Sequence, residues 1–260
     1  MRVRLAVFAL LALAGCAAPI RRAVLAPPSG AITVAADGTG QFASVNAAIA
    51  AARDGDVIYV NPGVYREQVR IAERGGLTII GADPVTTIVD ATGRYAAVEI
   101  RTDSNRIVNL TLRGADDHGV WVRYGSQSIS YCLVVGCGDR GIYLSAMAGT
   151  AFARIEHCTV VENGTSGIYA ARDDARTVIR HCIIAHNARG IVTDAGEGKL
   201  VIENNCLFNS EVDFDRVVPG ADNIVADPQF RDREAGDYEL ARGSPCRGRA
   251  PDGRDLGSNP

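Results

Sequence analysis

The chain lacks the features that announce several large classes of protein. It has no excess of positive charge: 27 lysines and arginines stand against 30 aspartates and glutamates, for a formal net charge of −3. A basic footprint for nucleic acid is missing, so no nucleic-acid partner is expected. Long amphipathic helical patterns are scarce after residue 55, which argues against a helical bundle. No two cysteines have CxxC spacing, so no metal is expected, and nothing calls for another cofactor. The apolar run Leu5–Leu13 is too short to span a bilayer, which takes about 20 residues. What the chain does have is glycine, 28 residues of it, and 47% hydrophobic residues over 260 positions. That suffices for one sizeable domain, expected as a monomer, built from short strands and many turns.

The N-terminus reads as an address and not as part of the fold. Arg2 and Arg4 precede the apolar run, and "LAGC", Leu13–Cys16, follows it. A charged start, an apolar core of about 7–15 residues and a small-residue cleavage site make a secretory signal. The cysteine directly after the small residues resembles the lipobox of bacterial lipoproteins. The resemblance implies a signal peptide over 1–15, cleavage before Cys16, and membrane attachment through a lipid on the Cys16 thiol. Ala17 resembles the outer-membrane sorting pattern, so the expected location is the cell envelope, at the outer membrane, facing periplasm or cell surface. Residues 16–30, rich in Pro and Ala, read as a tether.

A repeat organises the rest. Gly-(Val/Ile) steps fall at Gly119, Gly141, Gly167 and Gly190, spaced 22, 26 and 23. Cys132, Cys158, Cys182 and Cys206 are spaced 26, 24 and 24. Two markers with one period signal a solenoid or propeller. Apolar runs within each unit are strand-length and alternate, as in Val120, Val122 and Ile142, Leu144. Each unit is therefore a coil of strands that buries the apolar face its neighbours expose. "RIEHCTVV" and "VIRHCIIA" predict Ile155, Cys158, Val160 and Ile179, Cys182, Ile184 pointing inward. The cysteines are expected as a column of small buried packing thiols. His157 and His181, beside Glu156, Arg180 and Glu203, are expected on a solvated outer face.

These units resemble right-handed parallel β-helix repeats, the architecture of the pectin-lyase-like proteins. The resemblance implies an all-β parallel β-helix over 31–230 with a closing tail over 231–260. "ITVAADGTGQFASVNAAIAAARDGDVIYVNPGVYRE", Ile32–Glu67, is similar to the opening of pectinesterases. In it, Ser44 can cap a short helix whose Val45, Ile49 and Ala52 share a face and plug the solenoid end. "DVIYV", Asp56–Val60, then begins the first coil. The pectinesterase site is not carried over. That family's Gln-Asp-Thr, Asp-Phe-Ile-Phe-Gly and Leu-Gly-Arg-Pro-Trp segments are missing, and Asp213-Phe214 runs into Asp215. The acidic calcium cluster of pectate lyases is not recognisable either.

One column remains for function. The residues after the repeat steps are Trp121, Tyr143, Tyr169 and Val192, and alternation points them outward. The turns entering those strands hold Asp117, His118, Asp139, Arg140 and Glu162, and Arg123 leaves the first. Aromatic faces suit sugar rings, while carboxylates and Arg suit hydroxyls and uronate carboxylates. Trp121, Arg123, Tyr143, Glu162 and Tyr169 are thus candidate polysaccharide-binding residues. Asp117, His118, Asp139 and Arg140 are candidate catalytic residues. "DDHG" resembles the Asp-Pro-His-Asp turn of alginate epimerases, with the proline absent and Gly119 at the second aspartate. The sequence leaves open whether the chain is an enzyme. A polysaccharide lyase, an epimerase or a glycoside hydrolase fits the turns better than a pectinesterase. The rival is a non-catalytic structural or envelope-assembly protein, its aromatics covered by the tail at 226–256.

Replacing Cys16 by Ser is expected to move the protein from the membrane fraction to the soluble periplasmic fraction, with its circular dichroism unchanged. Fractionation and N-terminal sequencing of the mature protein check this.

Overall fold

The bends between strands decide the shape, and specific residues make them. In the computed structural model, residues 25–145, 151–171, 177–194 and 200–258 are described; the expected signal peptide and the expected lipidation site at Cys16 lie outside them. Each coil runs through three short strands, such as Leu133–Val135, Arg140–Leu144 and Ala151–Glu156. Equivalent strands of successive coils pair into three sheets of eight, seven and eight strands. The first sheet contains Ala151–Glu156, the second Arg140–Leu144 and the third Leu133–Val135. All pairing between coils is parallel and in register: Val120 lies beside Ile142, Ile142 beside Ile168 and Ile168 beside Ile191. The chain is an all-β, right-handed parallel β-helix, the hand that parallel crossovers favour. Ile129, Val134, Ile142, Ile155, Val160, Ile168, Ile179 and Ile184 fill one continuous interior.

The repeat glycines mark close approach. A Cβ on Gly141 would lie 2.4 Å from a Val160 methyl and 2.7 Å from the Gly167 carbonyl oxygen, so only hydrogen fits.

The His-Cys pairs are the bend from first sheet to third. The leading residue takes a left-handed backbone at Asn109, Tyr131, His157, His181, Asn204 and Asp222. That conformation is unfavourable for Tyr and His. Their rings offset it by stacking between coils, Tyr131 on His157 at 4.9 Å and His157 near His181 at 4.8 Å. The next residue turns inward, giving the column Leu110, Cys132, Cys158, Cys182, Asn205, Asn223. The thiols of Cys132, Cys158 and Cys182 reach the carbonyls of Ile107, Ile129 and Ile155 at 3.5–3.7 Å. Asn205 and Asn223 reach the equivalent carbonyls of Ile179 and Ile202 at 2.9 and 2.8 Å. The cysteine column thus becomes an asparagine ladder. A second ladder, Asn163–Asn187–Asn209, lines the bend from third sheet to second and ends on the Asp213 carboxylate.

Two expectations change. Cys206 does not belong to the column. Its register partner is Ile183, one residue past Cys182, so alternation turns it outward. His157 is not on a solvated face, being buried where the C-terminal tail crosses it. In that crossing Arg254 bonds the Tyr131 hydroxyl and Gly257 N–H bonds the His181 carbonyl. The tail itself folds back along the third sheet. Leu240, Cys246, Ala250 and Leu256 pack on Val161, Ile183, Ala185 and Cys206.

The opening behaves closely to expectation. The helix Val45–Ala51 is capped by Ser44, whose hydroxyl accepts from Ala47 N–H at 3.2 Å. Val45, Ala48 and Ile49 join the core beside Val34 and Ile58. The first sheet starts one strand earlier than expected, with Ile32–Val34 paired to Val57–Val60.

The two column chemistries should differ in worth. Cys158→Ala leaves a small cavity and should cost about 1–2 kcal/mol. Asn205→Ala strands the buried Cys182 N–H and Ile179 carbonyl and should cost about 2–4 kcal/mol. Urea unfolding of both variants checks the order.

Candidate binding face

Register alone assembles the candidate site. On the outer face of the second sheet, Arg70, Glu99, Trp121, Tyr143 and Tyr169 occupy one column, each beside the next. Val192 and Asp215 continue it. Trp121 and Tyr143 stack with centroids 6.4 Å apart and planes 9° apart. Tyr143 and Tyr169 meet edge to face at 5.6 Å. All three rings are half-buried.

Arginines complete this surface. Arg123 lies 4.5 Å from the Trp121 ring centroid. Arg140 lies between two tyrosines, 4.7 Å from Tyr143 and 4.4 Å from Tyr169. It also pairs with Asp139 at 2.5 Å. The Tyr169 hydroxyl bonds the Asp194 carboxylate, which in turn accepts from Arg216 at 3.0 Å. Burial and that carboxylate push the Tyr169 hydroxyl up to about 12.

The structure brings Trp121, Arg123, Tyr143, Tyr169, His118, Asp139 and Arg140 together. Asp117 is half-buried one rung from Asp139, with its carbonyl accepting from Asp139 N–H at 2.8 Å. Glu162 is drawn elsewhere, accepting from Arg233 and Tyr238 of the tail at 2.7 Å each. His118 is not on the edge of the face, where a catalytic base would need to stand. It is only 1% exposed, enclosed by the rings of Tyr95, Trp121 and Tyr143 at 5.3, 5.8 and 4.9 Å. Burial, then the Arg140 charge, holds its imidazole below the usual histidine range, so it packs as a neutral ring. Its Nδ1 stands 3.8 Å from Asp139 and, like Trp121 Nε1 and Arg140 Nε, lacks a hydrogen-bond partner among the described residues.

Sequence reasoning missed Glu99 and Tyr95. Glu99 is 2% exposed, yet it neighbours three arginines: Arg101 at 2.7 Å, Arg123 at 3.1 Å and Arg70 at 3.7 Å. Three guanidiniums around one carboxylate leave positive charge in excess at this end. Tyr95, 45% exposed, adds a fourth ring 5.0 Å from Trp121. Both precede the clear repeat glycines, so only the register places them. Among the described residues, no cluster of three His, Cys, Asp or Glu side chains could hold a metal ion.

The fold and this face define the class: a parallel β-helix with an aromatic–arginine column on one sheet. Comparison with known proteins refines the picture. The family described as "Right handed beta helix region" matches residues 96–213, and "Pectinesterase" matches residues 31–114. The pectinesterase match therefore ends before Trp121. A probable pectinesterase A of Aspergillus niger is 27% identical over 187 residues, which is 64% of this chain and 55% of that protein. Probable pectinesterase 30 of Arabidopsis thaliana is 42% identical over 79 residues, 28% of this chain and 16% of that one. The chain thus spans about half, or far less, of these relatives' length. The solved pectin methylesterase of Aspergillus niger shares the fold, with a TM-score of 0.51 at 15% identity over 79% of this chain and 93% of that one.

All four histidines, His118, His157, His181 and His186, are held below their ordinary range, burial being the largest cause. A lowered histidine pKa means the unfolded chain binds more protons. The stability it contributes is full above about pH 6.5 and is lost as pH falls through the folded values. The urea midpoint should therefore drop between pH 7.5 and pH 5. The carboxylates held low, Asp37, Asp90 and Asp252, act only in a lower window, below about pH 4.

Proposed function

We propose that this chain is a lipid-anchored envelope protein that binds a carboxylate-bearing polysaccharide along the second sheet. The observation that carries the reading is the in-register column Trp121–Tyr143–Tyr169, flanked by Arg70, Arg101, Arg123 and Arg140. Parallel strands repeat about every 4.8 Å, so a row of equivalent side chains offers a repeating polymer a repeating surface. Rings take the apolar faces of sugars, and guanidiniums take uronate carboxylates in paired hydrogen bonds. The relatives named as pectinesterases fit this substrate class, although their own motifs are missing here. Among the described residues, the tail packs on the third sheet. Binding, not bond breaking, is the activity proposed, because the candidate base His118 sits beneath the rings. Cys16 would hold the domain at the membrane, with residues 17–30 as tether.

One observation favours the rival. Arg123 and Arg140 already cover ring faces, an arrangement complete without a ligand, as a structural solenoid would have it. Trp121, the only tryptophan, separates the two. Uronate oligosaccharides should change its fluorescence, and neutral glycans should do so less. Tyr143→Ala and Arg123→Ala should each weaken binding by about 0.5–1.5 kcal/mol, and the Arg123 effect should shrink at high salt. If Trp121→Ala unfolds the domain and no glycan alters Trp121 emission, the column is packing and the reading fails.

A further inference from the structure

The seven cysteines do not form one set. Cys132, Cys158 and Cys182 line the solenoid interior on parallel, in-register bends. Their Cα–Cβ vectors run side by side, about 4.8 Å apart, where a disulfide needs Cβ atoms about 3.5–4.5 Å apart and converging. They also belong to the main core of the solenoid. Cys206 and Cys246 differ on both points. Cys206 faces outward from the third sheet, Cys246 faces it from the tail, and both are fully buried in the small separate cluster between them. A knot of hydrogen bonds fixes the pair. The Cys206 thiol bonds the Ala226 carbonyl at 3.3 Å. Ser244 ties the other side, its hydroxyl donating to Pro228 O at 2.6 Å and accepting from Cys246 N–H at 3.1 Å.

We propose that Cys206 and Cys246 form a disulfide that staples the C-terminal tail to the β-helix, leaving the three interior column thiols reduced. The oxidant is a disulfide donor of the glutathione or oxidoreductase class. One cysteine thiolate attacks a donor sulfur, forms a mixed disulfide and releases a donor thiolate. The second cysteine thiolate attacks the mixed disulfide, closes the Cys206–Cys246 S–S bond and releases the second donor thiol. Two S–H protons are lost, and two electrons reduce the donor. Once docked, both sulfurs are fully buried and out of reach of a donor, and the neighbouring thiol and burial hold Cys206 well above the usual thiol range. Oxidation therefore belongs to the open tail, whose small cluster can detach without disturbing the main core.

The full chain, reduced and unfolded, is refolded in a glutathione redox buffer. It is then quenched in acid, unfolded again and alkylated, and its peptides are mapped by mass. The expected result is a linked Cys206–Cys246 peptide, with Cys132, Cys137, Cys158 and Cys182 alkylated. The oxidised chain should unfold at higher urea than the same chain under reductant, because the link closes the segment between 206 and 246. Cys246→Ser should abolish both the link and the urea difference; if that variant does not fold, the wild-type peptide map decides alone. A folded chain in which Cys206 and Cys246 are both alkylated overturns the proposal, as does Cys206 linked to any other cysteine.

Discussion

Backbone pairing between equal positions of successive coils is the constraint on which everything else depends. Because each coil hydrogen-bonds in register to the next, any residue type that recurs once per coil becomes a physical column. Inside the solenoid such a column must be apolar or fully hydrogen-bonded, since no water reaches it. Outside, the same rule makes rows of like side chains that a solitary strand could never present. A slip of one residue would turn every such row to the opposite face.

The bends show how the chain meets this rule with different chemistry from coil to coil. A thiol is a weak donor but a good small hydrophobe, and an amide satisfies a carbonyl and a neighbouring N–H at once. Leu110, three cysteines and then two asparagines occupy one site in succession, the amides coming where the coils approach the C-terminal end. The outward neighbours in the same bends accept an unfavourable left-handed backbone, and ring stacking between Tyr131, His157 and His181 offsets part of the cost. The tail then lies over those rings, so architecture and tail docking share residues.

The aromatic column on the second sheet has another character. Its rings are interleaved with guanidiniums and backed by a buried imidazole, and its N-terminal end carries three arginines around Glu99. Removing one of these charges would leave a buried carboxylate less well paired, so the electrostatics are tied to the packing.

The sequence by itself determined the β-helix, its period, its inward residues and the outward row Trp121–Tyr143–Tyr169, because all of these follow from periodicity and strand alternation. It also marked Ser44 as a helix cap. Tertiary structure decided what periodicity cannot carry. The spacing of Cys206 fits the cysteine series, but a one-residue difference in bend length turns its side chain out, and only strand pairing reveals this. Glu162 has the same local pattern as its neighbours, yet the tail, more than 70 residues away in sequence, claims its carboxylate. His118 reads as an exposed turn residue until Tyr95, from the preceding coil, closes over it. In each case the deciding contact is with a residue distant in sequence, and a repeat records only what one coil does, not what crosses it.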